Sequence, residues 1–298
     1  MLIALTIMIF SPEAAAATDG ELRALDACKG AGAGVATGAC PTTKLDPMAL
    51  LPADKANFSG PTASPAARSA WQVADYTFSH SFFDTDWRKA NAVFRAEDVS
   101  LRLTPRPDAI PGENRFYGAS IRTRVPTGFG RYEALIQAGR GPGVVTGFFT
   151  YTGSAYGTRH DEIDIEFLGR DTTRIHVAWF VDGSLKSRFI DLGFDAADQP
   201  RRYAFEWHPS HIAWFVEGRE VFRATEDVDG PLPQVPSLLF ANIWAADPSI
   251  SDWSGTIVPG TRAEARVSQI RFTAFAAQQP DQADATEMIG TKVSAAPP

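Results

Sequence analysis

The sequence predicts an all-β fold, a β-sandwich or barrel of about 200 residues. Between residues 71 and 276, short runs of alternating apolar and polar residues follow one another, and a side-chain period of two indicates strands with one buried face. Turn signals separate the runs, among them Asp182–Gly183 and Glu217–Gly218. No stretch keeps a 3.6-residue apolar repeat over several turns, so few helices are expected.

The expected strands share this alternation and a length typical of strands. In chain order they cover residues 99–103, 119–125, 131–138, 144–151, 162–168, 174–181, 186–192, 202–208, 211–225, 237–245 and 265–275. The run 211–225 has Glu217–Gly218 in its middle, which predicts two strands joined by a two-residue hairpin. No internal repeat indicates a propeller or a solenoid.

Composition divides the 298 residues into four segments. Residues 1–17 combine an apolar run too short to span a bilayer with an alanine cluster, which predicts a signal peptide and a secreted protein, extracellular or periplasmic. Residues 18–70 form a lead-in rich in Pro, Ala and Gly, and residues 71–276 form the sandwich domain. Residues 277–298 contain no aromatic residue and are expected to be a disordered tail.

The net charge and the cysteine content limit the kinds of ligand that we expect this protein to bind. The formal net charge of −7 argues against nucleic acid as a ligand, since that requires a basic surface. Cys28 and Cys40 could close a small disulfide loop in an exported protein, and without nearby histidines they do not suggest zinc. We expect a monomer with no cofactor, no metal and, in its mature form, no membrane segment.

The segment E-I-D-I-E places Glu162, Asp164 and Glu166 at alternate positions of an expected strand, with two isoleucines between them. The three carboxylates therefore share one face and the isoleucines share the other. Like charges on one face repel, so the arrangement must be compensated by solvent, by cations or by a chemical function. A solvated polar face and a calcium site are the alternatives, although calcium loops normally curve around the ion.

The spacing also suits glycoside hydrolysis by two carboxylates. The Cα atoms of Glu162 and Glu166 should lie roughly 13 Å apart along a strand. If each side chain leans inward by about 4 Å, the carboxyl groups approach the 5–5.5 Å separation typical of a retaining glycosidase. Asp164 between them can hydrogen-bond one glutamate and help to keep the pair in different protonation states.

Aromatic and polar residues recur on the same expected face of the neighbouring strands, a lining that suits the C–H faces and hydroxyls of a sugar. These residues are His176, Phe180, Phe149, Tyr151, Asn242 and Trp244, followed by Trp253 after the last of these strands. Three other tryptophans have the opposite parity or lie in a hairpin, and are expected in the core: Trp179, Trp207 and Trp214.

With these residues assembled, the segment GFFTYTGSAYGTRHDEIDIEFLGRDTT, residues 147–173, resembles the active-site region of glycoside hydrolase family 16. It is most similar to bacterial lichenases (endo-1,3-1,4-β-glucanases) and to endoglycanases that trim exopolysaccharides. The resemblance extends over about residues 76–275, including WRKAN and NIWAADPSISDWSG. It implies a jelly-roll β-sandwich of the concanavalin A type with a substrate cleft on its concave face, and a retaining mechanism.

The resemblance also implies roles for individual residues. Glu162 would be the nucleophile, Glu166 the general acid and then base, and Asp164 the residue that tunes the pair. The positions implied to bind substrate are Phe83, Arg122, Phe149, Tyr151, His160, Phe180, Asn242, Trp244 and Trp253.

Several positions depart from the lichenase pattern. Ser120 stands in place of a glutamate, His160 in place of a tryptophan, and Ala178 and Phe180 in place of an asparagine and a tyrosine. These changes remove hydrogen-bonding groups from the cleft, and such groups determine sugar specificity.

Two structural features of the lichenases are expected to be missing. The positions of their disulfide fall near Thr85 and Gly118, so that bridge is absent. Ser268 stands where an aspartate would help to bind a structural calcium, so no calcium site is expected there.

The expected function is a secreted, retaining endo-β-glycanase that hydrolyses internal bonds of a glucose-containing β-glycan of the 1,3-1,4 type. Its partner would be this polysaccharide. The alternatives are a depolymerase of a bacterial exopolysaccharide of succinoglycan type, a transglycosylase, and a non-catalytic glycan-binding module on the same sandwich.

Overall fold

A computed structural model describes residues 58–59, 71–77 and 82–275, and for residues 58–59 only the backbone. The expected signal peptide, the pair Cys28 and Cys40, and the expected disordered tail lie outside the described residues. Of the expected lead-in, the structure describes only residues 58–59, which form a strand.

The described chain is mostly strand. In chain order the strands are β1 (Phe58–Ser59), β2 (Trp71–Val73), β3 (Thr85–Trp87), β4 (Ala92–Phe94), β5 (Val99–Pro105), β6 (Phe116–Thr123), β7 (Gly130–Gln137), β8 (Val144–Thr152), β9 (Asp161–Leu168), β10 (Arg174–Val181), β11 (Ser184–Asp191), β12 (Arg201–Trp207), β13 (His211–Val216), β14 (Arg219–Thr225), β15 (Leu238–Ala245) and β16 (Ala263–Ala274). The helices are two four-residue turns, α1 (Glu226–Asp229) and α2 (Ser251–Ser254), and three 3₁₀ turns, Lys89–Asn91, Ser154–Tyr156 and Pro248–Ile250.

The predicted runs correspond to β5–β16, so the all-β prediction is confirmed, while four short strands before residue 99 were not predicted. Both turn signals are confirmed as two-residue hairpins. Asp182 and Gly183 have φ of 49° and 78°, and Glu217 and Gly218 have φ of 49° and 79°. Positive φ at both central residues matches the right-handed twist of the paired strands, and glycine adopts it without strain.

The strands form two layers. One, the cleft sheet, has the order β11-β10-β9-β8-β15-β6 with β2 on β6, and the other, the back sheet, has the order β5-β16-β7-β12-β13-β14 with β4 and β1 added. The sheets are continuous where β5 pairs with β6 at Thr104–Tyr117 and Pro105–Phe116.

Apolar side chains from both sheets fill the space between the layers. Phe167 of the cleft sheet meets Tyr203 of the back sheet with ring centroids 4.8 Å apart, and Trp179 meets Trp214 at 5.7 Å. Trp179, Trp207 and Trp214 are at most 1% exposed, which confirms their predicted core positions. Aromatic pairs of this kind supply much of the burial that stabilises a sandwich.

The two positions expected for a disulfide are neighbours, although neither is a cysteine. β3 runs parallel to β6, and a Cβ built at Gly118 would lie 2.6 Å from Thr85 Cγ2. Charged contacts connect the same strands: Asp84 accepts from the backbone N–H and from Nε of Arg115, both at 2.6 Å. Asp86 is fully buried and contacts two further arginines. The Asp84–Arg115 pair connects the start of β3 to the start of β6, and the Asp86–Arg106 pair connects β3 to the end of β5.

In the part of the chain that the structure describes, no helix is long and apolar enough to cross a membrane.

Candidate active site

Strand β9 lies inside the cleft sheet, paired with β8 on one side and with β10 on the other. Its alternation is the one expected from the sequence. Ile163 and Ile165 are fully buried in the core between the sheets, whereas Glu162, Asp164 and Glu166 line the cleft on the opposite face.

The pairing register places each acid in a row of side chains that crosses the sheet. Glu162 lies between Phe180 and Tyr151, Asp164 lies between Ala178 and Phe149, and Glu166 lies between His176 and Gly147. Side chains directly opposite on neighbouring strands are within contact distance. Each acid therefore has different neighbours, although the three share one strand face.

Asp164 is the most buried of the three acids, at 4% exposure. Burial raises the pKa of its carboxyl well above the usual value, and the negative charges of Glu162 and Glu166 and a hydrogen bond with Glu162 raise it further. Its backbone is also held, because Trp214 Nε1 of the back sheet donates to the Asp164 carbonyl oxygen at 3.0 Å. Asp164 is therefore held at a fixed position in surroundings that raise its pKa and favour the protonated carboxyl.

Each glutamate contacts one histidine. His160 Nε2 lies 2.6 Å from Glu162 Oε2, and His176 Nδ1 lies 3.0 Å from Glu166 Oε2. The side chain of Glu162 is 9% exposed and that of Glu166 is 19% exposed. Glu162 is thus enclosed by Asp164 and His160, whereas Glu166 is more open to the cleft.

Aromatic rings form the walls of the cleft. Phe83 and Trp244 have ring centroids 4.2 Å apart, Trp244 and Trp253 are 6.1 Å apart, and Trp253 lies 5.6 Å from the ring of His176. Directly across from Asp164 on β8, Phe149 stacks on the ring of Phe240 at 5.0 Å. Such walls offer flat apolar surfaces to a sugar ring.

Six of the nine predicted substrate-binding residues line the cleft together with the three acids: Phe83, Phe149, Phe180, Asn242, Trp244 and Trp253. The other three, Arg122, Tyr151 and His160, do not. Tyr151 is 3% exposed and packs against His160 at 5.2 Å, and the guanidinium of Arg122 lies 5.7 Å from the Tyr156 ring. Their contact with substrate stays a prediction.

The structure adds Phe82, Leu185 and Ile250 to the lining. Leu185 lies directly opposite Phe180 on β11, so the two-residue alternation could have identified it if the register had been known. Phe82 and Ile250 lie outside the strands, and no alternation marks them.

Three of the positions that depart from the expected lichenase pattern lie in the strands of the cleft sheet, and two of them are apolar. Ala178 lies opposite Asp164, and Phe180 lies opposite Glu162. Ser120 is paired with Asn242, whose side-chain oxygen is buried without a hydrogen-bond partner among the described residues. Besides the three acids, the polar side chains of the described chain that line the cleft are those of His176 and Asn242.

A cleft with two glutamates, a buried aspartic acid between them and aromatic walls indicates a glycoside hydrolase, since acetal cleavage uses paired carboxyl groups and sugars bind to aromatic surfaces. Comparison with known proteins agrees. The family model "Glycosyl hydrolases family 16" matches residues 79–259, and the chain belongs to this family.

Several similar proteins are named β-glucanases. A "Beta-glucanase" from Paenibacillus macerans is 35% identical over 207 residues, which cover 69% of this chain and 84% of the relative. Two solved structures superpose well. The β-glucanase of Bacillus licheniformis has a TM-score of 0.66 at 32% identity, covering 74% of this chain and 98% of that one. A β-1,3-1,4-glucanase (lichenase) from a mouse hindgut metagenome has a TM-score of 0.67 at 33% identity, covering 74% and 99%. These matches confirm the resemblance to bacterial lichenases and the jelly-roll fold with its cleft on the concave face.

Within residues 71–77 and 82–275, no group of three or more His, Cys, Asp or Glu side chains is arranged to hold a metal ion. Ser268 lies in β16 of the back sheet, next to a β-bulge. The expected lack of a calcium site remains a prediction.

The raised pKa of Asp164 predicts a pH-dependent cost to stability. Above pH 3.8, the usual value for an aspartic acid, the unfolded chain ionises this group while the folded chain retains the proton. Unfolding then releases a proton, so the free energy of unfolding falls by up to about 1.4 kcal/mol per pH unit until the folded-state pKa is reached. Asp164→Asn, which does not titrate, should remove this slope.

Urea unfolding at pH 4, 6 and 8 measures the effect. The free energy of unfolding of Asp164→Asn minus that of the wild type should increase with pH. The exposed control Asp227→Asn should show no such trend. A difference for Asp164→Asn that is constant over this range would contradict the assignment of a proton to Asp164 in the folded state.

Proposed function

We propose that the protein is a secreted endo-β-glycanase that hydrolyses internal bonds of a glucose-containing β-glycan of the 1,3-1,4 type, with retention of anomeric configuration. One observation carries the proposal: Glu162 and Glu166 line the same open cleft on either side of a buried Asp164 whose carboxyl interacts with both. Retaining glycosidases use two such carboxyl groups as nucleophile and acid/base.

The environment of each glutamate supports its role. Glu162 is the more enclosed: its Oε2 lies 2.6 Å from His160 Nε2 and its carboxyl interacts with that of Asp164, contacts that suit a nucleophile held in one place. Glu166 is more exposed and lies nearer the aromatic wall formed by Trp253 and His176. There it can reach the oxygen of a leaving sugar and exchange a proton with water.

The reaction then proceeds in two steps. The Glu166 carboxylic acid gives its proton to the glycosidic oxygen while a Glu162 oxygen attacks the anomeric carbon, so that the C–O bond to the leaving sugar breaks and a glycosyl ester forms. Glu166, now a carboxylate, takes a proton from water, and the resulting oxygen attacks the same carbon and releases Glu162. Two inversions give net retention.

Asp164 supports both steps as a neutral neighbour. Two close carboxylates and a third charge between them would repel, and its proton removes that third charge. The same proton supplies the hydrogen bond to Glu162. We infer that Asp164 keeps the nucleophile oriented without making it too basic to leave in the second step.

The substrate proposal rests on the relatives and on the cleft. Similar named proteins include β-glucanases, and one similar solved structure is a β-1,3-1,4-glucanase. Aromatic walls and the amide of Asn242 suit a chain of glucose residues, through stacking on C–H faces and hydrogen bonds to hydroxyls. An open groove admits the middle of a polymer and so favours cleavage at internal bonds.

Cleavage of a bacterial exopolysaccharide of succinoglycan type is the second candidate. It is favoured by the apolar residues Ala178 and Phe180 and by Ser120, because lost hydroxyl contacts change which sugar is preferred. A transglycosylase would use the same intermediate with a sugar hydroxyl in place of water. A purely glycan-binding protein would have no need for both glutamates.

Replacing the nucleophile tests the mechanism. Glu162→Ala should lower the rate of hydrolysis at least about 1,000-fold, because no covalent intermediate can form. Azide should restore cleavage of an activated aryl β-glycoside and give a glycosyl azide of inverted configuration, identified by proton NMR. Glu220→Ala, at an exposed position on the back sheet, should retain wild-type activity. A Glu162→Ala enzyme with more than a tenth of wild-type activity would disprove the assignment.

A substrate screen distinguishes the polymers. We expect reducing ends to be released fastest from lichenan, more slowly from laminarin, and with oligosaccharides rather than glucose as the early products. A faster reaction on a succinoglycan-type polymer would favour the exopolysaccharide depolymerase. Products longer than the added oligosaccharides would favour a transglycosylase, and binding without turnover on any of these glycans would leave only the glycan-binding module.

Secretion is proposed from residues 1–17 alone. N-terminal sequencing of the protein recovered from the periplasm or the culture medium should find a chain that begins after the alanine cluster. A chain retained inside the cell with Met1 in place would contradict export by this segment.

A further inference from the structure

The contact between His160 and the proposed nucleophile is short and is enclosed by other side chains. Nε2 of the histidine lies 2.6 Å from Oε2 of Glu162, and the two side chains are 13% and 9% exposed. His160 directly precedes β9, and only Asp161 separates it from Glu162, so both side chains reach the same face of the sheet. The sequence alone had suggested only that His160 binds substrate.

Packing determines the orientation of the imidazole. Its ring stacks on Phe180 with centroids 4.7 Å apart and an interplanar angle of 22°, and the ring of Tyr151 lies 5.2 Å away at 59°. Phe180 and Tyr151 are the two cross-strand neighbours of Glu162. The backbone is held too, because Gly183 N–H in the hairpin between β10 and β11 donates to the His160 carbonyl oxygen at 3.1 Å.

The direction of the hydrogen bond follows from the chemistry. A nucleophilic carboxylate can only accept, so Nε2 must carry the hydrogen and donate it to Oε2. Bonds to an ionised acceptor are short and strong. With Oε2 occupied by His160, the other oxygen of Glu162 is the one left to attack the sugar.

The second histidine contact is different in kind. His176 lies on β10 across from Glu166, presents Nδ1 rather than Nε2, and lines the cleft, whereas His160 does not. Glu166 loses and regains a proton in the proposed reaction, so the charge of the carboxyl group beside His176 changes during turnover. At His160 the partner oxygen of Glu162 acts as an acceptor in both the carboxylate and the glycosyl ester, so a single donor direction serves throughout.

We propose that His160 is a positioning residue that holds the Glu162 carboxylate in the orientation for attack, through a permanent Nε2–H to Oε2 hydrogen bond. The inference rests on the proposed role of Glu162 as nucleophile. His160 touches neither the sugar nor the breaking bond. It acts by limiting the rotation of the Glu162 carboxyl group, so that a larger fraction of enzyme molecules has the carboxylate in the orientation for attack.

Two substitutions separate the hydrogen bond from the packing. His160→Phe keeps a ring between Phe180 and Tyr151 but has no donor, and His160→Gln places an amide N–H close to the position of Nε2 but loses the stacking. We expect His160→Phe to lower kcat by about 10- to 100-fold, the range of one charge-assisted hydrogen bond, with KM changed less than twofold. His160→Gln should recover at least a third of the wild-type kcat.

The leaving group supplies a second criterion. Attack by Glu162 is needed for every substrate, whereas general acid help matters little for an activated aryl β-glycoside. The loss of activity in His160→Phe should therefore be of similar size on lichenan and on the activated glycoside. His211→Phe, on the back sheet, is the matched control and should leave both rates unchanged. Wild-type rates in His160→Phe, a change confined to KM, or His160→Gln no better than His160→Phe would each overturn the proposal.

A crystal structure of His160→Phe provides a test that needs no substrate. The Glu162 carboxyl group should be rotated or present in more than one orientation, while Phe180 and Tyr151 keep their positions. A single wild-type orientation of Glu162 would overturn the positioning role even if the protein proved to hydrolyse no β-glucan. Conversely, a reoriented carboxyl group together with no turnover in the wild type would sustain the positioning role and reject the proposed activity.

Discussion

The burial of Asp164 between two glutamates is the interaction on which the site depends, and the two-layer fold makes it feasible. On strand β9, Ile163 and Ile165 are completely buried between the sheets, and their packing fixes the strand so that the three acids must face the cleft. A slip of one residue would exchange the two faces and bury the carboxylates in an apolar core, at a large cost. The hydrophobic core therefore enforces the repulsive arrangement of the acids.

This repulsion is relieved locally. Burial and the neighbouring charges raise the pKa of Asp164, which favours its uncharged form, and each glutamate contacts a histidine nitrogen. The three acids, chemically similar in the sequence, thus differ in exposure and in partners. Such differentiation of equivalent carboxyl groups is what two-step acetal chemistry requires. Placing three acids side by side also lowers the free energy of unfolding, a cost that is typical of functional sites.

Around this centre, apolar residues line the cleft at two positions where the resemblance to lichenases leads us to expect polar ones. Ala178 and Phe180 flank the acids, and Leu185 extends the same surface to the neighbouring strand. Phe180 also has a second contact, since its ring stacks on the imidazole of His160. Phe180 therefore supports the histidine that contacts Glu162. His160 and Phe180, two positions that depart from the expected lichenase pattern, form one packed unit.

The sequence by itself determined the strands, the hairpins and the face on which the acids lie, because these depend on a two-residue period and on local turn chemistry. For His160, the resemblance to lichenases implied only a role in substrate binding. Only the tertiary structure decided that His160 contacts Glu162, that His176, from another strand, meets Glu166, and that Leu185 and Ile250 enter the cleft. Strand register and loop paths cause these contacts, and both arise from packing between residues far apart in the chain, which no local pattern encodes.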